Sequence, residues 1–230
     1  MSFTDPFRKY APSTIILPAE LVKTLDWLDA FSNIHTFENG AQFAPLYTAS
    51  EMKGVNDVSC VGFQIFDDFY YDFDALPRKD VKERLFLCVQ TGGDGSHAGI
   101  WIDEAGVQKF VHIGSGSGSI WGGVITESAV DFLRFLAIGY LEPAFIECHD
   151  KTVEAAWFEY NGYELDDKAE LIEEGDYHPT VPPFAFQKFL EETFDTHIPE
   201  RASEIIQHPA PTYDDPKDDP FAHWLISISG

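Results

Sequence analysis

The sequence predicts an α+β fold, in which helices flank a mixed sheet that is rich in antiparallel strands. Short apolar segments typical of strands follow one another through the first half of the chain, without the alternation of strand and helix that a parallel sheet requires. Segments with apolar residues at helical spacing dominate the remainder. Apolar residues make up 44% of the 230 residues, which is enough for a packed core. We expect one domain over residues 1–230.

The N-terminal part is predicted to be a polar arm over residues 1–16, followed by a helix that opens at Leu17–Glu20. Pro18 suits the first helical position, because the N–H that it lacks has no partner inside a helix. Apolar residues then recur at helical spacing: Leu21, Leu25, Leu28 and Phe31. Asn39-Gly40 is typical of a turn that leads into a strand.

Six strands are predicted after this turn, each bounded by segments rich in Gly or Asp: Ala41–Ala49, Val58–Phe66, Arg84–Gln90, Ala98–Asp103, Val107–Ile113 and Ile120–Ile125. The three residues Glu104–Gly106 form a plausible hairpin connection. The two strands that they join are therefore expected to be antiparallel neighbours.

A helix over Ala129–Gly139 is predicted to lie in the core. Ser128, with Asp131 three residues later, gives a capping-box-like start, and Gly139 suits the end. The helix is apolar on nearly every side, so we expect it to pack against both the sheet and other helices. Four of its side chains should be buried: Phe132, Leu133, Phe135 and Leu136.

Residues 151–230 are predicted to form a mainly helical C-terminal extension. Its elements are a helix over Lys151–Tyr160, an acidic loop over residues 161–183, an amphipathic helix around Phe186–Phe194, an acidic stretch broken by prolines over Asp214–Pro220 and a final apolar segment.

The charge of the chain restricts its partners. Asp and Glu number 39 against 15 Lys and Arg, which gives a formal net charge of -24. Such a surface repels phosphate backbones and anionic membranes, so we expect neither nucleic acid nor a membrane as a partner. It attracts a basic protein or a cation. The alternative interpretation is that the acidity only keeps the protein soluble.

The cysteines and the N-terminus favour a reducing compartment. Cys60, Cys88 and Cys148 are odd in number, far apart and in apolar contexts, so we expect free, buried thiols. The first residues lack the basic and apolar regions of a signal peptide. No apolar run approaches the roughly 20 residues of a membrane span. The expected location is cytoplasmic.

Three motifs raise the question of catalysis or metal binding. The segment Gly114–Ser119 alternates Gly and Ser, but no Lys follows to reach a phosphate and a strand precedes the next helix. Cys148-His149-Asp150 places three ligand types side by side, where they point in different directions. Asp94-Gly95-Ser96-His97 lacks the spaced carboxylates of a calcium loop. We therefore predict no catalytic centre, no metal and no cofactor.

An acidic-aromatic segment over Asp67–Asp74 is the candidate for partner binding. Its rings can bury area on a partner while its carboxylates pair with Lys or Arg. The residues of this hypothesis are Asp67, Asp68, Tyr70, Tyr71, Asp72 and Asp74. In the alternative, Phe69 and Phe73 fill the core and the other side chains are simply solvated.

The block over residues 84–140 resembles the SUKH superfamily, which includes the bacterial Syd protein and a fungal regulator of cell-wall synthesis. The shared order is a strand, a Gly-Asp-Gly-Ser turn at Gly93–Ser96, an aromatic strand, a strand that ends in a Gly-Ser-rich turn, and the helix Asp131–Gly139. Gly116 stands where many relatives carry an acidic residue.

This resemblance implies an α+β domain without a catalytic centre. Many bacterial members are immunity proteins that neutralise a secreted toxin by direct binding, and many of those toxins are nucleases with basic surfaces. The leading hypothesis is therefore a non-catalytic immunity protein that binds a basic toxin domain. One alternative is a regulatory or scaffold protein of the same fold that binds a cellular protein. A second is a small-molecule enzyme that uses the Asp94–His97 turn with His112. The oligomeric state is left open.

Overall fold

The sheet of this protein has its seven strands in sequence order. The computed structural model describes residues 2–53, 57–65, 78–115, 121–206, 211–212 and 215–229. Within these ranges the strands are β1 (His35–Thr36), β2 (Gln42–Pro45), β3 (Gly62–Gln64), β4 (Leu85–Gln90), β5 (His97–Ile102), β6 (Gln108–Ile113) and β7 (Gly122–Thr126). Every neighbouring pair is antiparallel. The predicted α+β class with an antiparallel-rich sheet is confirmed.

Helices surround this sheet. Those in the described ranges are α1 (Thr4–Tyr10), α2 (Ala19–Phe31), α3 (Arg78–Arg84), α4 (Ala129–Ala137), α5 (Val153–Asn161), α6 (Lys168–Glu174), α7 (Phe184–Phe194) and α8 (Pro220–Ser229). Short 3-10 turns occur at Ile146–Cys148, Leu165–Asp167 and Ala202–Glu204. None of the helices in these ranges is both long and apolar enough to cross a membrane.

The strand predictions differ from the observed strands mainly in length. β1 was not predicted, because its two residues form a strand only by pairing with β2 across the turn at Gly40 (φ 84°). β2 ends at Pro45, which has no N–H to donate to a further ladder bond. The predicted hairpin at Glu104–Gly106 joins β5 and β6 as antiparallel neighbours, as expected.

The predicted polar arm over residues 1–16 is wrong, because it contains α1. Phe3 and Phe7 are one turn apart and both buried, with ring centroids 5.1 Å apart, and Phe7 also contacts Phe63 on β3. Burial of these two rings stabilises a helix that the polar residues of the segment do not suggest. The loop predicted over residues 161–183 is likewise wrong in part, since it contains a 3-10 turn and α6.

Both faces of the central strands are covered. On β4, Phe86 and Cys88 belong to the larger core that α2, α4 and α7 cover. Leu85 and Leu87 belong to a smaller core with Phe221 and other residues of α8. This alternation explains why β4 is apolar from Leu85 to Val89, since the part of a strand that is buried on both faces needs apolar residues at every position.

The helix α4 fills the centre of the larger core. Phe132, Leu133, Phe135 and Leu136 are all at most 1% exposed, which confirms the predicted burial. The hydroxyl of Ser128 accepts a hydrogen bond from the Asp131 N–H at 3.2 Å, so the predicted N-terminal cap is present.

The outer edge of β7 is covered by the C-terminal segment. The N–H of Gly122 donates to the Pro211 carbonyl (3.2 Å), and the N–H of Val124 donates to the Asp219 carboxylate (2.8 Å). The same carboxylate accepts from the N–H groups of Phe221 and Ala222 at the start of α8. The Asp219 side chain thus caps α8 and also covers part of the edge of β7, which would otherwise be open to pairing with other chains.

Candidate functional site

The candidate turn Asp94–His97 meets Ser115, from the described start of the Gly-Ser segment, at one end of the sheet. The Asp94 carboxylate accepts hydrogen bonds from the Ser96 N–H (3.0 Å) and the Ser115 hydroxyl (2.8 Å). The Ser115 N–H donates to the Ser96 hydroxyl at 3.2 Å. Residues 116–120 lie outside the described ranges. In the part that is described, these contacts serve to join two turns.

Two histidines that are distant in sequence lie against Trp121. The His112 ring stacks on the indole with centroids 4.0 Å apart, and its Nδ1 donates to the Trp121 carbonyl oxygen (3.1 Å). The His149 ring meets the same indole edge-on at 4.8 Å, and its Nε2 donates to the Pro143 carbonyl (2.9 Å). Sequence patterns could not predict this proximity, since 36 residues of chain separate the rings and only the tertiary fold brings them together.

His97 lies on the opposite face of the sheet from His112. It pairs with Ile113, a residue of the smaller core, whereas His112 pairs with Ala98 of the larger core. Successive side chains of a strand point to opposite faces, so the imidazoles of His97 and His112 are separated by the sheet. The arrangement does not bring the two rings to one substrate atom.

Burial lowers the pKa of each of these histidines. The pKa of His112 falls to about 3 and that of His97 to about 4, with desolvation as the largest cause. The pKa of His149 is also lowered by burial. A general base works best with a pKa near the operating pH, and these shifts lead away from neutrality.

The three cysteines are free thiols, as expected, but only Cys88 and Cys148 are fully buried, whereas Cys60 is half-buried. Burial raises the pKa of each thiol. The pKa rises to about 12 for Cys60 and Cys88 and to about 11 for Cys148. The carboxylate of Glu142 raises the pKa of Cys60 further. Because the thiolate is the nucleophile and the metal ligand, these shifts disfavour both roles. No group of three or more metal-ligating side chains is found among the described residues.

A cavity of about 780 Å³ lies among β7, α4 and the segment that leads to α8. Its lining includes three cations, each of which is already engaged with a carboxylate. Lys109 pairs with Glu127, Arg134 with Asp131 at 2.6 Å, and Lys217 with Asp215. The walls therefore offer no ready charge to an anionic ligand.

Residues 152–177 form a small structural unit, here named the acidic α5–α6 unit. Trp157, Phe158 and Leu171 make a separate buried cluster, with Tyr177 packed against it. The Glu154 carboxylate accepts hydrogen bonds from Lys168 (2.6 Å) and from the Tyr177 hydroxyl. These bonds lower the pKa of Glu154 and connect α5 to α6.

The acidic α5–α6 unit holds a large share of the net charge. It contains nine acidic residues and one lysine, so it contributes about a third of the formal charge of -24. Most of the carboxylates lie on exposed residues: Glu159, Glu164, Asp166, Glu170, Glu173, Glu174 and Asp176. The anionic character is therefore at the surface, where a partner can meet it.

The same unit exposes large apolar side chains. Leu165 is 58% exposed and Ile172 is 55% exposed, while Tyr160 and Tyr163 are 43% and 39% exposed. The Tyr160 ring meets Phe145 edge-on at 5.4 Å, and its hydroxyl lies 3.4 Å from a carboxylate oxygen of Glu142. Burial raises the pKa of Glu142, and the Asp94 carboxylate adds to the rise. The acidic surface thus continues from α5 to the end of the sheet.

The segment proposed from sequence for partner binding is not described by the structure. Asp67, Asp68, Tyr70, Tyr71, Asp72 and Asp74 all lie outside the described residues. The acidic α5–α6 unit was missed because residues 161–183 were interpreted as a loop. The seven-residue interval between Leu165 and Ile172, which is two helical turns, could have indicated it. Comparison with protein-family models, curated proteins and solved structures finds no match to this chain.

Proposed function

We propose that this protein is a non-catalytic binding module for a basic protein, acting as an immunity protein that neutralises a cognate secreted toxin by direct contact. The observation that carries the proposal is the surface of the acidic α5–α6 unit, where exposed carboxylates surround exposed Leu, Ile and Tyr side chains. Interfaces combine buried apolar anchors with a polar rim, and this surface supplies both components.

The charge of the unit suits a toxin with a basic surface. Many toxins countered by the SUKH-like proteins that residues 84–140 resemble are nucleases, which bind nucleic acid through cationic residues. An anionic surface steers such a partner and can raise the association rate about 10- to 1,000-fold at low salt. Apolar contacts then slow dissociation, because a desolvated anchor holds the complex after it forms.

The ionisable groups at the sheet end support a binding role over catalysis. The pKa values of the buried histidines move down and those of the cysteines move up, so both types are uncharged at neutral pH. Catalytic groups are usually tuned in the other direction, towards the operating pH.

The test uses the purified chain and, as the candidate toxin domain, the product of the gene next to its own. We expect a complex by titration calorimetry and loss of toxin activity in the mixture. Affinity should fall as salt rises from about 0.05 to 0.5 M, because exposed charge pairs are screened. A toxin domain that remains active and unbound at micromolar concentrations of the chain would overturn the proposal.

A pair of matched variants then compares the two acidic segments. One variant replaces four acids of the helical unit with amides: Asp166, Glu170, Glu173 and Glu174. The other replaces Asp67, Asp68, Asp72 and Asp74 with Asn, which removes the same charge. We expect the first variant to slow association with the toxin domain several-fold, since rim charges act mainly on encounter. A larger effect of the second variant would assign the contact to the Asp67–Asp74 segment.

A further inference from the structure

The outward side of residues 165–174 is an apolar stripe on a continuous helical run. The 3-10 turn Leu165–Asp167 passes directly into α6, which gives ten residues and a length of about 15 Å. Leu165 and Ile172 are seven residues apart, or two turns, so they lie on the same side. Both are more than half exposed, whereas Leu171 on another side is buried against the cluster of α5.

This helical run is held in place before any partner binds. At its start, the Glu164 N–H donates to the Asp167 carboxylate at 2.8 Å, and the Asp167 N–H donates to the Glu164 carbonyl at 3.0 Å. At its end, Gly175 adopts a left-handed conformation (φ 83°) that closes the helix. The bond from Lys168 to Glu154 fixes the run to α5. A preorganised face loses little conformational entropy on binding.

Carboxylates accompany the apolar stripe at the same spacing. Asp166, Glu170 and Glu173 are four and then three residues apart, and all three are exposed. The lysine of the unit, Lys168, points its ammonium group at Glu154 and so leaves the three carboxylates uncompensated by it. A partner that covers the stripe must therefore present cations beside its own apolar residues.

We infer that the acidic α5–α6 unit docks an amphipathic basic helix of its partner, laid along residues 165–174. The inference rests on the proposed function and specifies the partner element. A helix presents apolar residues at intervals of three, four and seven, which matches the interval from Leu165 to Ile172. Lys or Arg residues that flank its apolar face reach Asp166, Glu170 and Glu173.

The probe is a 14-residue peptide of leucine and lysine at helical spacing, labelled with fluorescein and titrated with the full chain. We expect the double substitution Leu165→Ser with Ile172→Ser to raise the Kd about tenfold, because both anchors are lost. The matched control is Phe37→Ser with Val107→Ser, two apolar residues that are 43% and 42% exposed elsewhere. It should leave the Kd within about twofold. Wild-type chain that fails to bind the peptide, or equal weakening by both doubles, would overturn the inference.

Two charge variants distinguish the contribution of this face to peptide binding from that of the overall negative charge. The variant Asp166→Asn, Glu170→Gln, Glu173→Gln should weaken peptide binding more than Glu38→Gln, Glu104→Gln, Glu191→Gln, a set of exposed acids that removes equal charge. Equal effects would mean that net charge alone attracts the peptide, and the inference would fall. If the Leu165 and Ile172 double variant still binds the toxin domain at wild-type affinity, the docking mode is wrong while the proposed function stands. If wild-type chain does not bind the toxin domain, the proposed function itself is wrong.

Discussion

The sheet end and the acidic α5–α6 unit are both rich in ionisable side chains, and the fold treats them in opposite ways. At the sheet end, His97, His112 and His149 are buried, and burial holds their pKa values low. In the acidic unit, the carboxylates lie on exposed residues, where water stabilises their charge. Ionisable residues are therefore structural at the sheet end, whereas in the acidic α5–α6 unit they are available to a partner.

This difference follows from the cost of desolvation. Moving a charged group from water into the core is unfavourable, so a buried histidine stays neutral and uses its N–H in a hydrogen bond. His112 does so with the Trp121 carbonyl and His149 with the Pro143 carbonyl. Charged groups that contact a partner must lie at a partly exposed surface, where removal of their hydration water on binding has only a modest free-energy cost.

The largest effect is expected from truncation of an apolar side chain at the sheet end. Phe135 is fully buried, and its ring contacts Trp121 and His149. Phe135→Ala should lower the free energy of unfolding by about 3–5 kcal/mol, because it leaves a cavity. Ile172→Ala in the acidic unit should change it by less than about 0.5 kcal/mol. Urea denaturation measures both, and comparable losses in the two variants would contradict the contrast between the regions.

Acid should destabilise the protein through its buried histidines. Their folded pKa values lie below the unfolded value of about 6.5, so the unfolded chain takes up protons first as the pH falls. The stability that they contribute is full above pH 6.5 and is lost as the pH falls towards their folded pKa values. His97 and His112 together should cost about 2–3 kcal/mol between pH 7.5 and 5.5.

The measurement is the free energy of unfolding as a function of pH. We expect His112→Gln to reduce the slope by about one proton between pH 6 and 5. A slope that is the same in wild type and in His112→Gln would show that His112 is not held neutral by burial.

Asp219 is a carboxylate that serves the fold, and its loss should have a moderate effect. Asp219→Ala removes acceptors for the Val124, Phe221 and Ala222 N–H groups and should cost about 1–2 kcal/mol. Asp219→Asn should cost less, because Asn also caps helices well. Thermal unfolding of both variants tests this ranking. An Asn variant that is as unstable as the Ala variant would assign the effect to the lost charge instead of capping, because both substitutions remove the charge.

The smallest effect on stability is expected from the exposed acids. The triple variant Asp166→Asn, Glu170→Gln, Glu173→Gln should change the free energy of unfolding by less than about 0.5 kcal/mol for each residue. This variant should therefore bind the peptide more weakly while its free energy of unfolding stays nearly unchanged. A large loss of stability would indicate that these carboxylates hold the unit together, and any change in binding would then follow from unfolding.

Much of the fold could be predicted from local patterns. Apolar segments predicted β4, β5 and β6, and helical spacing predicted α2 and α4. Both patterns depend on contacts made within a few residues. The Ser128 cap could be predicted for the same reason, because its hydrogen bond spans only three residues. The prediction was weakest where local polarity concealed an element, as in α1 and α6. In both, one or two buried side chains, such as Phe7 in α1 and Leu171 in α6, stabilise a helix most of whose other residues are exposed.

The candidate site shows the same division. Composition established a strongly acidic chain, the number and contexts of the cysteines predicted free thiols, and the sequence pattern predicted the sheet and the core helix α4. Only the tertiary structure decided that His97 and His112 face different cores, that His149 meets His112 at Trp121, and that Asp219 covers the edge of β7. His149 is 37 positions from His112, and Asp219 is 95 positions from Val124. The spacing of residues along the chain reflects only the local geometry of a helix or strand, whereas burial depends on the whole fold. Such spacing therefore cannot predict these contacts.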